Sequence, residues 1–236
     1  MTDKSARADA YDLGSFGAIL CAVGILTSGP LALLVVAFVQ PQPPWEGAVT
    51  FVDSFHRIQV LPFYFGFLLV LGSILMLVSV YVLSRERARA LAALVFMSIG
   101  SAFAIANYVV QTTYIPAIVN GYTPELAPIV EALSMANPSS LVWSLEMWGY
   151  GFMGLGTWAA AAFFEMTRLE IIARALFILN GVASVLGAIA ISIDLSGVFS
   201  TAGLVGYGIW NIIFLALAVV FYIVLKRRRI REIQQS

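Results

Sequence analysis

Apolar residues run along this chain in six long blocks, separated by short segments rich in proline, charge or small polar residues. The blocks cover roughly residues 14–39, 58–84, 90–114, 141–164, 174–195 and 203–225. Each reaches the ~20 residues that a helix needs to cross a ~30 Å hydrocarbon core. The pattern therefore predicts an all-α, six-helix membrane bundle formed as a single domain. The interruptions are of kinds that hydrocarbon excludes. Gln40 to Trp45 reads QPQPPW, an extended turn that its prolines keep out of a helix. Ser84 to Arg89 reads SRERAR and Lys226 to Arg231 reads KRRRIR, charged ends that need water or headgroups. The first apolar block is too long for a signal-peptide core and has no small-residue cleavage site before Gln40, so it is expected to be retained.

Within each block, small residues recur at helical spacing, as in Gly14, Gly17, Cys21 and Gly24, or Gly149, Gly156 and Ala160. Helices in lipid pack through such stripes, because small side chains let backbones approach. Polar residues share these inward faces. His56, Arg57, Gln59, Asn107, Gln111, Tyr114, Glu146, Tyr150, Asp194, Tyr207 and Asn211 all fall towards the same end of the bundle, and only Asn180 does not. That clustering predicts a polar pocket lined by Asn107, Gln111, Glu146, Tyr150, Asp194 and Asn211, with His56 and Arg57 at its mouth. Glu146 lies among the apolar Trp143, Met147 and Trp148, so its charged form is expected to be disfavoured unless Arg57 or His56 approaches.

Composition agrees with a membrane chain and narrows its chemistry. The 236 residues are 61% hydrophobic and 11% charged, with a mean hydropathy of +0.93, which excludes both a soluble globule and a disordered chain. A single cysteine and a single histidine exclude an intrachain disulfide and multi-histidine or cysteine metal sites, so no metal and no cofactor is expected. Formal net charge of +0 gives no reason to expect nucleic acid.

Charge also sets an expected orientation. All but one of the 13 basic residues fall at the two ends of the chain or between blocks two and three or four and five; the exception is Arg57. Basic loops stay on the cytoplasmic side, so both termini are expected in the cytoplasm, in a plasma membrane. The KRRRIR tail then either marks the cytoplasmic boundary or holds anionic lipid. On the outer side, Tyr122 to Ser139 reads YTPELAPIVEALSMANPS. Thr123 suits an N-cap, Pro124 the first helical position, and Leu126, Ile129, Val130 and Leu133 share a face. The segment predicts a short amphipathic helix, which either covers an opening or rests on headgroups.

Residues 55–85, FHRIQVLPFYFGFLLVLGSILMLVSVYVLSR, resemble an uncharacterised family of bacterial six-span proteins, a domain of unknown function. So do SLEMWGYGFMGLGTWAAAAFFEM at 144–166 and ILNGVASVLGAIAISID at 178–194. The resemblance implies the six-helix fold and no particular activity. It offers no counterpart for the 122–139 helix or the QPQPPW turn.

Three functions suit these features. One is binding or passage of a small or lipid-like molecule through the polar pocket. The second is an acid–base enzyme acting on a lipid-soluble substrate, with Glu146 and Asp194 as proton donor and acceptor. The third is a structural or assembly subunit that binds a partner helix or a second copy through its small-residue faces. No GxSxG, GxxxxGK[ST] or HExxH motif points to a catalytic class, and the first reading is preferred.

Overall fold

The computed structural model describes residues 3–234, with side chains from Ser5. Lys4, counted above among the cytoplasmic basic residues, has its side chain outside the described part. Among the described residues the chain forms ten α-helices and no strand. They are α1 (Asp3–Leu26), α2 (Ala32–Val39), α3 (Ala48–Ser54), α4 (Leu61–Leu83), α5 (Arg87–Val109), α6 (Ile115–Asn120), α7 (Ala127–Leu133), α8 (Leu141–Ala160), α9 (Arg168–Ile193) and α10 (Thr201–Gln234). Two π-helical turns, Thr27–Leu31 and Val110–Tyr114, join α1 to α2 and α5 to α6 without a break in the rod. Five rods are long and apolar enough to cross a membrane: Ser5–Val39, Arg57–Leu83, Arg87–Asn120, Arg168–Ile193 and Thr201–Gln234. The remaining long helix, α8, is diluted by glycine, tryptophan, tyrosine and Glu146.

The long helices pack in chain order around a ring, α1 on α4, α4 on α5, α5 on α8, α8 on α9 and α9 on α10, and α10 closes it against α1. Glycines set the spacing. A Cβ on Gly72 would come within 2.6 Å of the Gly17 carbonyl oxygen and 2.7 Å of the Cys21 nitrogen. A Cβ on Gly100 would meet the Gly149 carbonyl in the same way. Backbone therefore lies on backbone at both crossings, which only glycine permits. The main core between the helices is aliphatic and aromatic, with Phe177, Phe214, Phe221, Leu69, Met76 and Met153 fully buried.

The helices outrun the apolar blocks at the end where the termini meet. α1 starts before residue 14, α9 starts at Arg168 rather than 174, and α10 continues beyond 225 to Gln234. Ion pairs hold these extensions together. Arg7 pairs with Glu232 at 2.7 Å, Arg229 with Asp12, and Arg228 and Arg231 with Glu170. Glu170 is 1% exposed, and its carboxylate also accepts from the Glu165 N–H. Hydrophobic runs alone end where charge begins. These helices continue because paired side chains satisfy one another beside the core.

At the opposite, loop end, residues 40–47 are non-helical, as the prolines dictate, and Gly47 takes φ +117°. Two further features differ from the sequence reading. Helix α3 follows this turn where no element was expected. The 122–139 segment opens with a 3-10 turn, Pro124–Leu126, before α7. Thr123 makes no side-chain cap to the backbone; its hydroxyl bonds Glu125 instead, which with the Glu125 backbone N–H holds that carboxyl below its ordinary range. Val130, Ile129, Leu126 and Leu133 pack on Phe51 of α3 and Ile115 and Ile118 of α6, forming a second small core.

Gly72→Val should destabilise the α1–α4 crossing by about 1–3 kcal/mol or more, since backbone rather than a flexible side chain must move. Gly206, with nothing near its Cβ position, should accept alanine without loss. Thermal unfolding in detergent of the two variants checks the contrast; equal melting temperatures would contradict the packing.

Candidate functional site

The polar residues of α5 and α8 meet near the loop end. Asn107 and Tyr108 occupy the last full turn of α5, and Gln111 lies on the π-helical turn after it. Glu146 and Tyr150 stand four residues apart on one face of α8. Asn107, Tyr108, Gln111 and Glu146 are all buried. The Asn107 Nδ2 donates to Glu146 Oε2 at 2.8 Å, and the Tyr108 hydroxyl to Oε1 at 3.1 Å. Tyr108 has one proton, so with that proton on Glu146 it accepts from the Tyr150 hydroxyl at 2.6 Å. The chain of donors runs Tyr150 to Tyr108 to Glu146.

The loop after α7 closes over this cluster. Gln111 Nε2 donates to the Asn107 Oδ1 at 3.1 Å and to the Leu133 carbonyl at 2.8 Å, and its Oε1 accepts from the Met135 N–H at 3.2 Å. The second Asn107 amide proton points to Met135 Sδ at 2.9 Å, and Trp143 Nε1 donates to the Met135 carbonyl at 3.0 Å. Every polar atom of the Asn107 and Gln111 amides has a partner. The proline-rich turn flanks the same loop, where Trp45, Phe51 and Ala136 join the small core.

Aromatic rings frame the cluster on its other sides. Tyr108 lies over Gly66 of α4, where a Cβ would come within 2.7 Å of its ring, and packs edge-on against Phe67. Tyr150 contacts the Trp210 ring of α10 at 4.8 Å, and Trp210 Nε1 donates to the Ser184 hydroxyl of α9. Helices α4, α9 and α10 thus hold the donors of Glu146 in place.

Of the eight residues singled out from sequence, the structure unites Asn107, Gln111, Glu146 and Tyr150 and places the other four elsewhere. Asp194 is exposed at the end of α9, and its Oδ1 accepts from the Ser196 N–H at 3.1 Å and hydroxyl at 2.6 Å. It caps its own 3-10 turn, so the two acids are not brought into contact. His56 and Arg57 are exposed; His56 Nδ1 accepts from the Ile58 N–H and closes a capping box with Gln59 that starts the α4 rod. Neither residue pairs with Glu146, and neutral donors serve it instead. Asn211 donates to the Tyr207 carbonyl, while its Oδ1 is buried beside Gly29 on the first π-turn. Trp148 is 41% exposed and turns away from Glu146.

Two participants escaped the sequence reading. Tyr108 is the centre of the hydrogen-bond chain, and its position next to Asn107 is the only hint in the sequence. Glu170 is held by Arg228 and Arg231 at the far end of the bundle. It ends a T-x-x-E pattern at Thr167, the usual sign of a capping box, yet its carboxylate reaches Glu165 and α10 instead.

No protein-family model, no curated protein and no solved structure matches the chain. Its chemistry is therefore read from its own geometry. The cluster offers one carboxyl, two amides and two phenols in a water-poor site, a set suited to hydrogen-bonding a neutral or cationic polar group.

Asn107→Leu should cost about 1–3 kcal/mol of stability, because it strips one donor from the buried Glu146 carboxyl and an acceptor from Gln111. Glu146→Gln should be much milder: its amide can donate to Tyr108, whose proton then turns to Tyr150. Thermal unfolding of both variants in detergent tests this ranking, and a less stable Glu146→Gln would contradict these hydrogen-bond directions.

Proposed function

We propose that this is a six-span plasma-membrane protein with cytoplasmic termini, which binds or passes a small or lipid-like molecule at the Glu146 cluster. Support for the sixth span comes from α8, which runs between α5 and α9 in the ring and packs along both. If its neighbours cross the bilayer, α8 crosses with them. Support for the orientation comes from Arg7 and Glu232, whose contact puts both termini at one end with most of the basic residues.

The observation that carries the functional reading is the pairing of Glu146. A carboxyl buried between candidate spans, served only by neutral donors, is costly to keep and marks a functional position by default. The segment at 133–136 answers that cluster with a carbonyl, an N–H and a thioether. These are the groups a bound molecule would replace if the segment withdrew, which makes residues 122–140 a lid. Binding is preferred to acid–base catalysis because no second carboxyl contacts Glu146 among the described residues.

Native mass spectrometry of the protein released from nanodiscs tests the reading. A discrete non-protein mass should accompany the wild type and be lost in Glu146→Gln, which keeps the fold. Retention of the same mass by the variant, or stoichiometric recovery of another protein with no small ligand, would sink it. Orientation is checked by cysteine labelling, since the native Cys21 is buried and contributes no background. Glu131→Cys should react with an impermeant maleimide in intact cells, and Arg85→Cys only after permeabilisation.

A further inference from the structure

Where α9 begins and α10 continues past the apolar core, the two helices flank an open cavity of about 380 Å³. Its rim carries Arg227 and Arg231, which stand four residues apart on one face of α10, with Thr167 opposite. Its walls are Leu169, Val224 and Ile230, with Glu170 lining it between them. Ile230 is 55% exposed in the midst of the most basic segment of the chain, a placement that suits contact with acyl chain or glycerol rather than water.

The charge around the cavity is not balanced by the protein. Arg229 is matched by Asp12, and Arg228 by Glu170, which Arg231 shares. Arg227 forms no ion pair among the described residues, and the exposed Arg231 has guanidinium protons beyond its single contact with Glu170. The Glu170 carboxylate also accepts from the Glu165 N–H, so it is already neutralised and hydrogen-bonded and does not repel an incoming anion. Two arginines on one face are matched to phosphate oxygens in the way that guanidinium groups recognise oxyanions.

We propose that this cavity is a specific site for the phosphate headgroup of an anionic phospholipid, with Arg227 and Arg231 holding the phosphate and Leu169, Val224 and Ile230 receiving the glycerol and upper acyl chain. The site lies at the opposite end of the bundle from Glu146. It requires that α9 and α10 cross a bilayer, and it is independent of any ligand bound under the lid.

The test uses the full chain in nanodiscs of mixed phosphatidylglycerol and phosphatidylcholine, with bound lipid read by native mass spectrometry. The wild type should retain phosphatidylglycerol over phosphatidylcholine. Arg227→Gln with Arg231→Gln should weaken that retention roughly tenfold, whereas Arg85→Gln with Arg89→Gln, the same charge removed from another loop, should leave it unchanged. Equal loss in both pairs would show bulk electrostatics and overturn the site, as would equal retention of the two lipids. Stabilisation by inorganic phosphate alone, with no lipid preference, would assign the cavity to free phosphate instead. Arg227→Gln by itself, altering an exposed side chain without an ion pair, carries the same comparison should the double variant not fold.

Discussion

A carboxyl placed between apolar helices must find hydrogen-bond donors within the protein, because no water or lipid supplies them. In this protein the requirement falls on Glu146, and much of the bundle depends on how it is met. Among the described residues no cation reaches it, and its donors are the Asn107 amide and the Tyr108 phenol of α5. Those groups reach α8 only if the two helix axes lie close together. Gly100 against Gly149, and Gly156 against Ala93 and Met97, provide that approach. The three contacts fall in one antiparallel register, and the same register puts Asn107 opposite Glu146. Small-residue packing and buried polar chemistry are thus one arrangement rather than two.

The two ends of the bundle solve the problem of charge differently. Near the loops, neutral amides and phenols serve a lone carboxyl, and the loop backbone completes their bonding. The cluster is therefore fully bonded only while residues 133–136 stay in place, which couples the position of the loop to the state of the site. At the terminal end, arginines meet acids directly and one carboxylate, Glu170, is buried among them. Removing either partner of a buried pair leaves an uncompensated charge, so this end fixes α10 against α9 and α1. An excess of positive charge remains at the rim there.

The two π-helical turns fall where these features need them. One carries Gln111 and lies directly after Asn107 and Tyr108. The other brings Gly29 against Asn211. A π-turn inserts an extra residue into a helix and shifts the phase of the residues beyond it, and such turns concentrate at functional positions. Here the shift lets α5 direct Asn107 towards α8 and Gln111 towards the loop from successive turns.

The sequence by itself determined the helical class, the presence of breaks within 40–45 and 84–89, and the close-packed glycine faces, because hydropathy, proline and side-chain size act locally along the chain. It also marked Asn107, Gln111, Glu146 and Tyr150 as inward-facing polar residues, since helical spacing fixes which positions share a face. It could not decide which of the polar residues at one end touch one another. Asp194, His56 and Arg57 have the same apparent depth as Glu146, yet Asp194 and His56 are taken by local caps and Arg57 stays exposed beside one of them, and a cap depends on how the helix terminates rather than on its periodicity. Tyr108 became the centre of the site only through the register of α5 against α8 and the gap left by Gly66. Glu170 found its arginines some 58 residues away along the chain. Such pairings are decided by tertiary packing, because a hydrogen bond or ion pair is won by whichever partner the neighbouring helix brings within reach.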